Sequence, residues 1–391
     1  MNSTQLNSTQ LTHESSFIVS LLHGIERVKM PIDHMYNDII SFENLLVAWR
    51  EFQRNKRRRK DIGQFSLHLT DNILTVHRDL KRGTYRHESY EAFRINDPKP
   101  RDIHKASVRD RLVHHAIYRI LYPYFDPKFI FDSYSCRRAK GTHRAIHRFR
   151  HYARIVSKNN TRTVWILKCD IRKFFANINH QILCDILGKH IKSRDTISLL
   201  RIVVKSFHTP CNLDVGLPLG NLTSQLLVNI YMNEFDHFMK RDIKVQYYIR
   251  YADDFVILHE NKKYLKSILP KISEFLKIQL RLSLHPNKVF IKTLASGVDF
   301  LGWIHFPHHR ILRTSTKKRI FRDLLNNPKE GLLISYCGLL SHGNAYKLQQ
   351  KMVEIAREEA KAMIEEDESL SKWPTVKKHL LSREKDIRHF E

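Results

Sequence analysis

Two apolar stretches that end on acids constrain this chain more than any other feature. Thr163 to Cys169 is apolar and β-branched and runs directly into Asp170, the pattern of a strand buried on both faces. Residues 247–258 predict two more short strands, separated by a tight turn that carries Asp253 and Asp254. Taken alone, an Asp-Asp pair at a hairpin tip is ordinarily a solvated turn, because adjacent carboxylates repel and add nothing to stability. Asp170 alters that balance. If these strands share one sheet, three carboxylates converge from two strand ends. Such a cluster is suited to two divalent cations about 3.5–4 Å apart, an arrangement that activates a hydroxyl nucleophile and steadies a leaving pyrophosphate. Mg²⁺ accepts carboxylate and phosphate oxygens while keeping waters, with Mn²⁺ as the alternative ion.

The charge balance points to what surrounds those acids. Lys and Arg number 67 against 40 Asp and Glu, a net charge of +27, whereas solubility alone asks a small domain for a magnitude of about 2–8. A nucleic-acid partner is the expectation. Residues Phe42–Phe52 have helical apolar spacing and run into Lys56, Arg57, Arg58 and Arg59. For that cluster, phosphate contact and a merely solvated helix face weigh equally. Tyr90–Ile95 and a strand beginning at Arg101 flank the turn Asp97–Pro100, predicting a hairpin that carries Arg94, Lys99 and Arg101. These three cations are candidates for a nucleotide's triphosphate, since phosphoryl transfer needs little beyond metal and positive charge.

Several classes are excluded or disfavoured. The five cysteines show no CxxC spacing, which disfavours a zinc ribbon or disulfide framework and fits a reducing cytoplasm. The 24 histidines lack zinc-site spacing. No apolar run approaches the ~20 residues that span a bilayer, so no membrane partner is expected. The start, MNSTQLNSTQL, is a polar repeat that reads as a frayed tail rather than a signal peptide.

Further helices are predicted over 65–80, over 108–124, from Thr142 onward after the Lys140-Gly141 turn, and from a cap at Asn221 or Thr223 to about Arg241. Beyond residue 306 the chain reads as helical and strongly charged. The 12 glycines fall well below the usual share of about 7%. Gly216, Gly220 and Gly302 therefore mark either close backbone approach to a ligand or ordinary turns, two readings of equal weight.

In order along the chain stand Asp170-Ile171-Arg172-Lys173-Phe174-Phe175, Gly216-Leu-Pro-Leu-Gly-Asn-Leu-Thr-Ser224-Gln225, Tyr251-Ala-Asp-Asp254, Lys288 and Phe300-Leu-Gly-Trp303. From about residue 45 to 345 this series resembles the reverse transcriptases. The resemblance implies an α+β right-hand polymerase: an N-terminal extension (1–40), fingers (41–162), a palm with an antiparallel sheet (163–305, with part of 185–225 packing on the fingers) and a short helical thumb (306–391). It implies Asp170, Asp253 and Asp254 as catalytic metal ligands, with a backbone carbonyl from Ile171. Phe175 resembles the gate against a ribose 2′-hydroxyl. Leu219, Gly220, Gln225 and Lys288 would line the dNTP site. Tyr251 and the primer-grip segment Phe300, Leu301, Gly302 and Trp303 would face primer and template.

Leu219, where many relatives carry Gln, and Ser224-Gln225 in place of Ser-Pro resemble the reverse transcriptases of diversity-generating retroelements, within the group II intron-like lineage. Arg109-Asp-Arg-Leu-Val-His-His-Ala116 and Lys140-Gly-Thr-His-Arg-Ala145 resemble that group too. This implies copying a template-repeat RNA into cDNA with errors opposite adenine, and assembly with a small basic accessory protein. The length implies no RNase H, integrase or endonuclease domain. A defence-associated or retron enzyme is the alternative, and a group II intron enzyme would need a longer maturase region. An RNA-binding scaffold with a polymerase fold is the non-enzymatic alternative. Tyr336–Tyr346 reads as thumb or as a partner surface.

Overall fold

A computed structural model describes residues 35–96, 100–210, 212–326 and 330–355. The N-terminal repeat, Lys99 and the charged segment after 355 lie outside those residues. Four helices come first: α1 (Met35–Ile40), α2 (Phe42–Gln53), α3 (Lys60–Leu67) and α4 (Leu69–Lys81). Ser41 caps α2 through its side chain, which accepts from the Asn44 amide. The sequence predicts one helix over 65–80, but the chain breaks at His68 (φ −119°, ψ 42°). The side-chain amide of Asn72 donates to the Phe65 carbonyl at 3.0 Å, taking over a carbonyl that the break strands. The break lets α3 and α4 bury different stripes, Ile62 from one and Ile73, Val76 and Leu80 from the other.

The cluster Lys56–Arg59 does not extend α2. It lies in the turn between α2 and α3, where Asn55 takes φ 61°. Strands β1 (Glu91–Ile95) and β2 (Arg101–Lys105) pair antiparallel as their own two-stranded sheet. Next come α5 (Val108–Phe125), α6 (Thr142–Val156, with Gly141 at φ 102° before it) and β3 (Trp165–Asp170). Helices α7 (His180–His190) and α8 (Arg194–Lys205) lead to α9 (Leu222–His237), then β4 (Tyr248–Tyr251), β5 (Asp254–His259), α10 (Lys262–Leu280) and β6 (Phe290–Thr293).

The central sheet has the order β4-β5-β3-β6, antiparallel throughout. Strands β3, β4 and β5 are buried almost end to end, which explains the unbroken apolar runs in the sequence, while the edge strand β6 is only half-buried. One core cluster under this sheet runs from Met35 to Leu282 and joins the first helices to the sheet without a gap. Beyond residue 306 the chain is not helical at once. Strands β7 (Val298–Phe300), β8 (Trp303–His305) and β9 (Arg310–Leu312) form a third sheet before α11 (Thr314–Asn326) and α12 (Glu330–Leu340). The alternation is too short for a sequence window to separate three-residue strands from loop. Leu301 and Gly302 join β7 to β8 with φ 50° and 88°, both in the left-handed region that a tight two-residue hairpin requires. No helix among the described residues is long and apolar enough to cross a membrane.

Two buried histidines give the fold a pH dependence. Burial pushes His114 down to about 3 and His305 to about 4. In the unfolded chain each takes a proton near its ordinary pKa of about 6.5. Below that pH the unfolded state binds more protons, so stability is full above it and falls as pH drops toward 4. The expected slope is up to about 1.4 kcal/mol per pH unit for each histidine. Denaturant unfolding at pH 7 and pH 5 measures this, and His114→Leu should flatten the slope. Equal stability at both pH values would contradict the reading.

Candidate active site

The acids meet where the sequence places them. Asp170, the last residue of β3, is the register partner of Asp254, the first residue of β5. Tyr251 pairs with Asp254, so the turn consists of Ala252 and Asp253. Ala252 sits at φ 56°. The Asp253 carbonyl accepts from the Ile171 amide at 3.2 Å, which ties the turn to the end of β3. Ile171 also faces Leu284 in an antiparallel bridge. The hydrogen bonds there use the Asp170 carbonyl and the Arg172 amide, leaving the Ile171 carbonyl outside that pairing.

Burial raises Asp253, and the Asp170 carboxylate adds to the rise, while Lys288 and Arg101 oppose it. Burial pushes Asp254 up to about 6 against the pull of Lys168, with Asp253 and Asp170 adding to the rise. Two lysines partly offset the charge. Lys288 Nζ lies 3.0 and 3.1 Å from the two Asp170 oxygens. Lys168 Nζ lies 3.3 Å from Asp254 Oδ2. The other oxygen, Asp254 Oδ1, is buried and has no hydrogen-bond partner. No three His, Cys, Asp or Glu side chains among the described residues are gathered closely enough to hold an ion. The donor chemistry nonetheless fits a hard divalent cation: all-oxygen ligands, an orphaned buried carboxylate oxygen and raised pKa values that a cation would reverse.

Beneath the turn lies a residue that the sequence reading missed. Arg250 is fully buried and donates from Nε to Asp236 Oδ1 at 2.8 Å and from Nη2 to Asp236 Oδ2 at 2.6 Å. Its remaining donors reach Ser133 Oγ, Asn229 Oδ1 and, at 3.1 Å, the carbonyl of Ala252 in the acidic turn. Tyr248 also donates to Asp236 at 2.7 Å. A charged residue inside an apolar strand must find such partners, and that was its available signal. Lys168 gave the same signal, two residues before Asp170 and so on the same face of β3.

The loop before α9 fastens the basic hairpin. The Leu219 carbonyl accepts from the His104 amide at 3.2 Å, and Asn221 Nδ2 donates to the His104 carbonyl at 2.9 Å. Asn221 therefore does not cap α9 through its side chain, which is committed to β2. Gly220 sits at φ 100°, and a Cβ there would lie 3.0 Å from Ile103 Cγ2. At Gly216, with φ 115°, a Cβ would lie 3.2 Å from Thr209 Cγ2 and 3.3 Å from Phe207 Cε1. These glycines approach the protein's own backbone and side chains, whereas Gly302 has open space around it and serves its turn.

Other candidates fall into place around this frame. Phe175 is half-buried in the 3-10 turn after Ile171, with its carbonyl accepting from the Leu217 amide at 2.8 Å. Gln225 is half-buried in the first turn of α9. Tyr251 shares a 3.1 Å hydrogen bond with Thr142. Arg94 and Arg101 are exposed on the hairpin, where Arg94 faces Asp102 at 4.0 Å. Phe300 and Trp303 are almost fully buried, so the β7–β8 hairpin offers a partner only its tip, Leu301 and Gly302. Arg50, Arg54 and Lys56–Arg59 surround an open cleft of about 630 Å³. The Lys56 ammonium is lowered by burial and by Arg111 and Arg59, a sign of crowded positive charge.

Comparisons with known proteins find relatives of this chain. The reverse transcriptase (RNA-dependent DNA polymerase) family matches residues 96–305, more than half of the chain. Protein YkfC of Escherichia coli is 25% identical over 67% of this chain and 75% of its own length. The group II intron-encoded protein LtrA of Lactococcus lactis is 22% identical over 64% of this chain, which spans 51% of LtrA. Among solved structures, telomerase from Candida albicans with a telomeric RNA fragment is similar over 76% of this chain and 59% of that one, at 11% identity and a TM-score of 0.49. The chain belongs to the reverse transcriptase family, the RNA-dependent DNA polymerases.

Proposed function

We propose that the chain copies a template-repeat RNA into cDNA for a diversity-generating retroelement, with errors concentrated opposite adenine. The observation that supports polymerisation is the pairing of Asp170 with Asp254 at neighbouring strand ends, with Asp253 in the adjoining turn and Asp254 Oδ1 buried and unpartnered. Asp170, Asp253, Asp254 and the Ile171 carbonyl would hold Mg²⁺, which would supply an activated primer 3′-hydroxyl and charge neutralisation on the triphosphate. Lys288 then leaves Asp170 for triphosphate oxygens, joined by Arg101, whose charge already reaches Asp253. Phe175 excludes the ribose 2′-hydroxyl. The basic turn Lys56–Arg59 takes template phosphates, and the Leu301-Gly302 tip meets the primer. A small basic accessory protein completes the assembly with RNA in the cytoplasm.

Leu219 supports the mutagenic part of this reading. Its carbonyl is bound to the hairpin while its side chain is half-buried in the loop that opens α9; in this reading the apolar side chain takes the place of a polar one that would read the nucleotide. Two measurements test the proposal. Primer extension on an RNA template with Mg²⁺ should incorporate dNTPs and reject rNTPs, and preference for rNTPs would overturn the assignment. Sequencing cDNA from Leu219→Gln should show a several-fold lower error rate opposite adenine. An unchanged adenine error rate would remove Leu219 from the account.

A further inference from the structure

Helix α6, β9 and the turn after α12 line a half-open cavity of about 260 Å³. At roughly 30 Å³ of liquid volume per water, it has room for a small polyatomic anion with several waters. Arg150, Arg310, His309 and His342 line it. His143, His147 and Arg150 fall at helical spacing on one stripe of α6, and the His143 ring lies against His342 with centroids 3.9 Å apart. The wall is built rather than incidental. Arg310 Nε donates to the His342 carbonyl, and the Asn344 amide donates to the Arg310 carbonyl at 3.0 Å. Gly343 is pressed so closely on Trp303 that a Cβ there would lie 2.0 Å from the indole.

The charge in this cavity is unbalanced. No carboxylate among the described residues pairs with Arg150, Arg310, His143, His147 or His342. Arg310 Nη1 is buried with no hydrogen-bond partner, although a buried guanidinium donor is costly to leave unmet. Burial lowers Arg310, His147 and His342, and the other shifts on these three come from neighbouring cations alone.

We propose that this cavity is a phosphate-binding site, with Arg150 and Arg310 as the charged donors and the surrounding histidines as further donors. A tetrahedral anion accepts from several directions at once, which suits donors arriving from a helix, a strand and a turn. The phosphate has two sources, a nucleic-acid backbone or a free phosphate compound. The site does not depend on the polymerase reading, since none of its residues belongs to the acid cluster.

Binding of inorganic phosphate to the full chain, measured by thermal shift and titration calorimetry against chloride at equal ionic strength, tests the site. The variants are Arg150→Gln, alone and with His309→Gln. Both residues are exposed, so folding should survive and is checked by melting in chloride. Arg241→Gln removes the same charge elsewhere. We expect the double variant to bind phosphate about tenfold more weakly or worse, with Arg241→Gln unchanged. A parallel arm measures RNA–DNA duplex affinity against salt. If the double variant also lowers duplex affinity and the salt slope, the phosphate is that of the backbone. If duplex binding is untouched while phosphate binding is lost, the ligand is a free phosphate compound. Phosphate no better than chloride in the wild type, or variants that bind it undiminished, would overturn the proposal.

Discussion

Replacing Asp253 by Asn is expected to lower primer extension on the order of a thousandfold while leaving the protein at least as stable. The rate loss follows from taking a charged oxygen ligand away from the proposed two-ion site, which should cost several kcal/mol of transition-state stabilisation at about 1.4 kcal/mol per factor of ten. The stability follows from the sign of the pKa shift. A carboxyl whose pKa rises on folding is less stable when charged in the fold than in the unfolded chain, so at neutral pH the Asp253 charge opposes folding. A neutral isostere removes that opposition. Single-nucleotide incorporation and thermal melting on the same preparation separate the two effects. A variant that loses activity together with several degrees of melting temperature would make Asp253 a structural residue instead.

The second large effect lies under the turn. Arg250→Met leaves Asp236 buried and without its cation, and breaking such a pair typically destabilises by about 3–5 kcal/mol. Urea unfolding should show that loss. Tyr248 still donates to Asp236, so the value should fall toward the lower end. Activity should fall further than folding does, because Arg250 also donates to the Ala252 carbonyl that shapes the acidic turn. The double variant Arg250→Met with Asp236→Leu should recover much of the stability by replacing the pair with apolar volume. It should not recover the rate. If the double variant regains both, Arg250 acts on stability alone and has no positioning role.

The sheet and its acids were legible because their signal is local. An apolar run ending on Asp170 and a pair of strands around Asp253-Asp254 are written in consecutive residues, and both appear within a residue or two of where periodicity places them. The electrostatic support was not legible in the same way. Arg250 finds Asp236, Ser133 and Asn229 only after three separate segments come together. Lys288 sits on Asp170 through a contact more than a hundred residues long in sequence. Asn221 carries a capping residue's chemistry, yet its amide is taken by the hairpin, a choice that no window around residue 221 can show. The same holds for Phe300 and Trp303, whose motif resembles a primer contact while their rings fill the core.

The β1–β2 hairpin has one more consequence. Every residue of β1 is exposed, and a lone two-stranded ribbon is marginal in water. What anchors its inner strand to the palm side is a pair of hydrogen bonds at His104 and the contact of Ile103 with Gly220. Its amide protons should therefore exchange with solvent through local opening, orders of magnitude faster than those of the buried central sheet. Each opening carries Arg101, whose charge acts on Asp253 when the hairpin is closed, away from the acidic turn and each closing returns it, so the electrostatics of that turn follow a clock set by the hairpin.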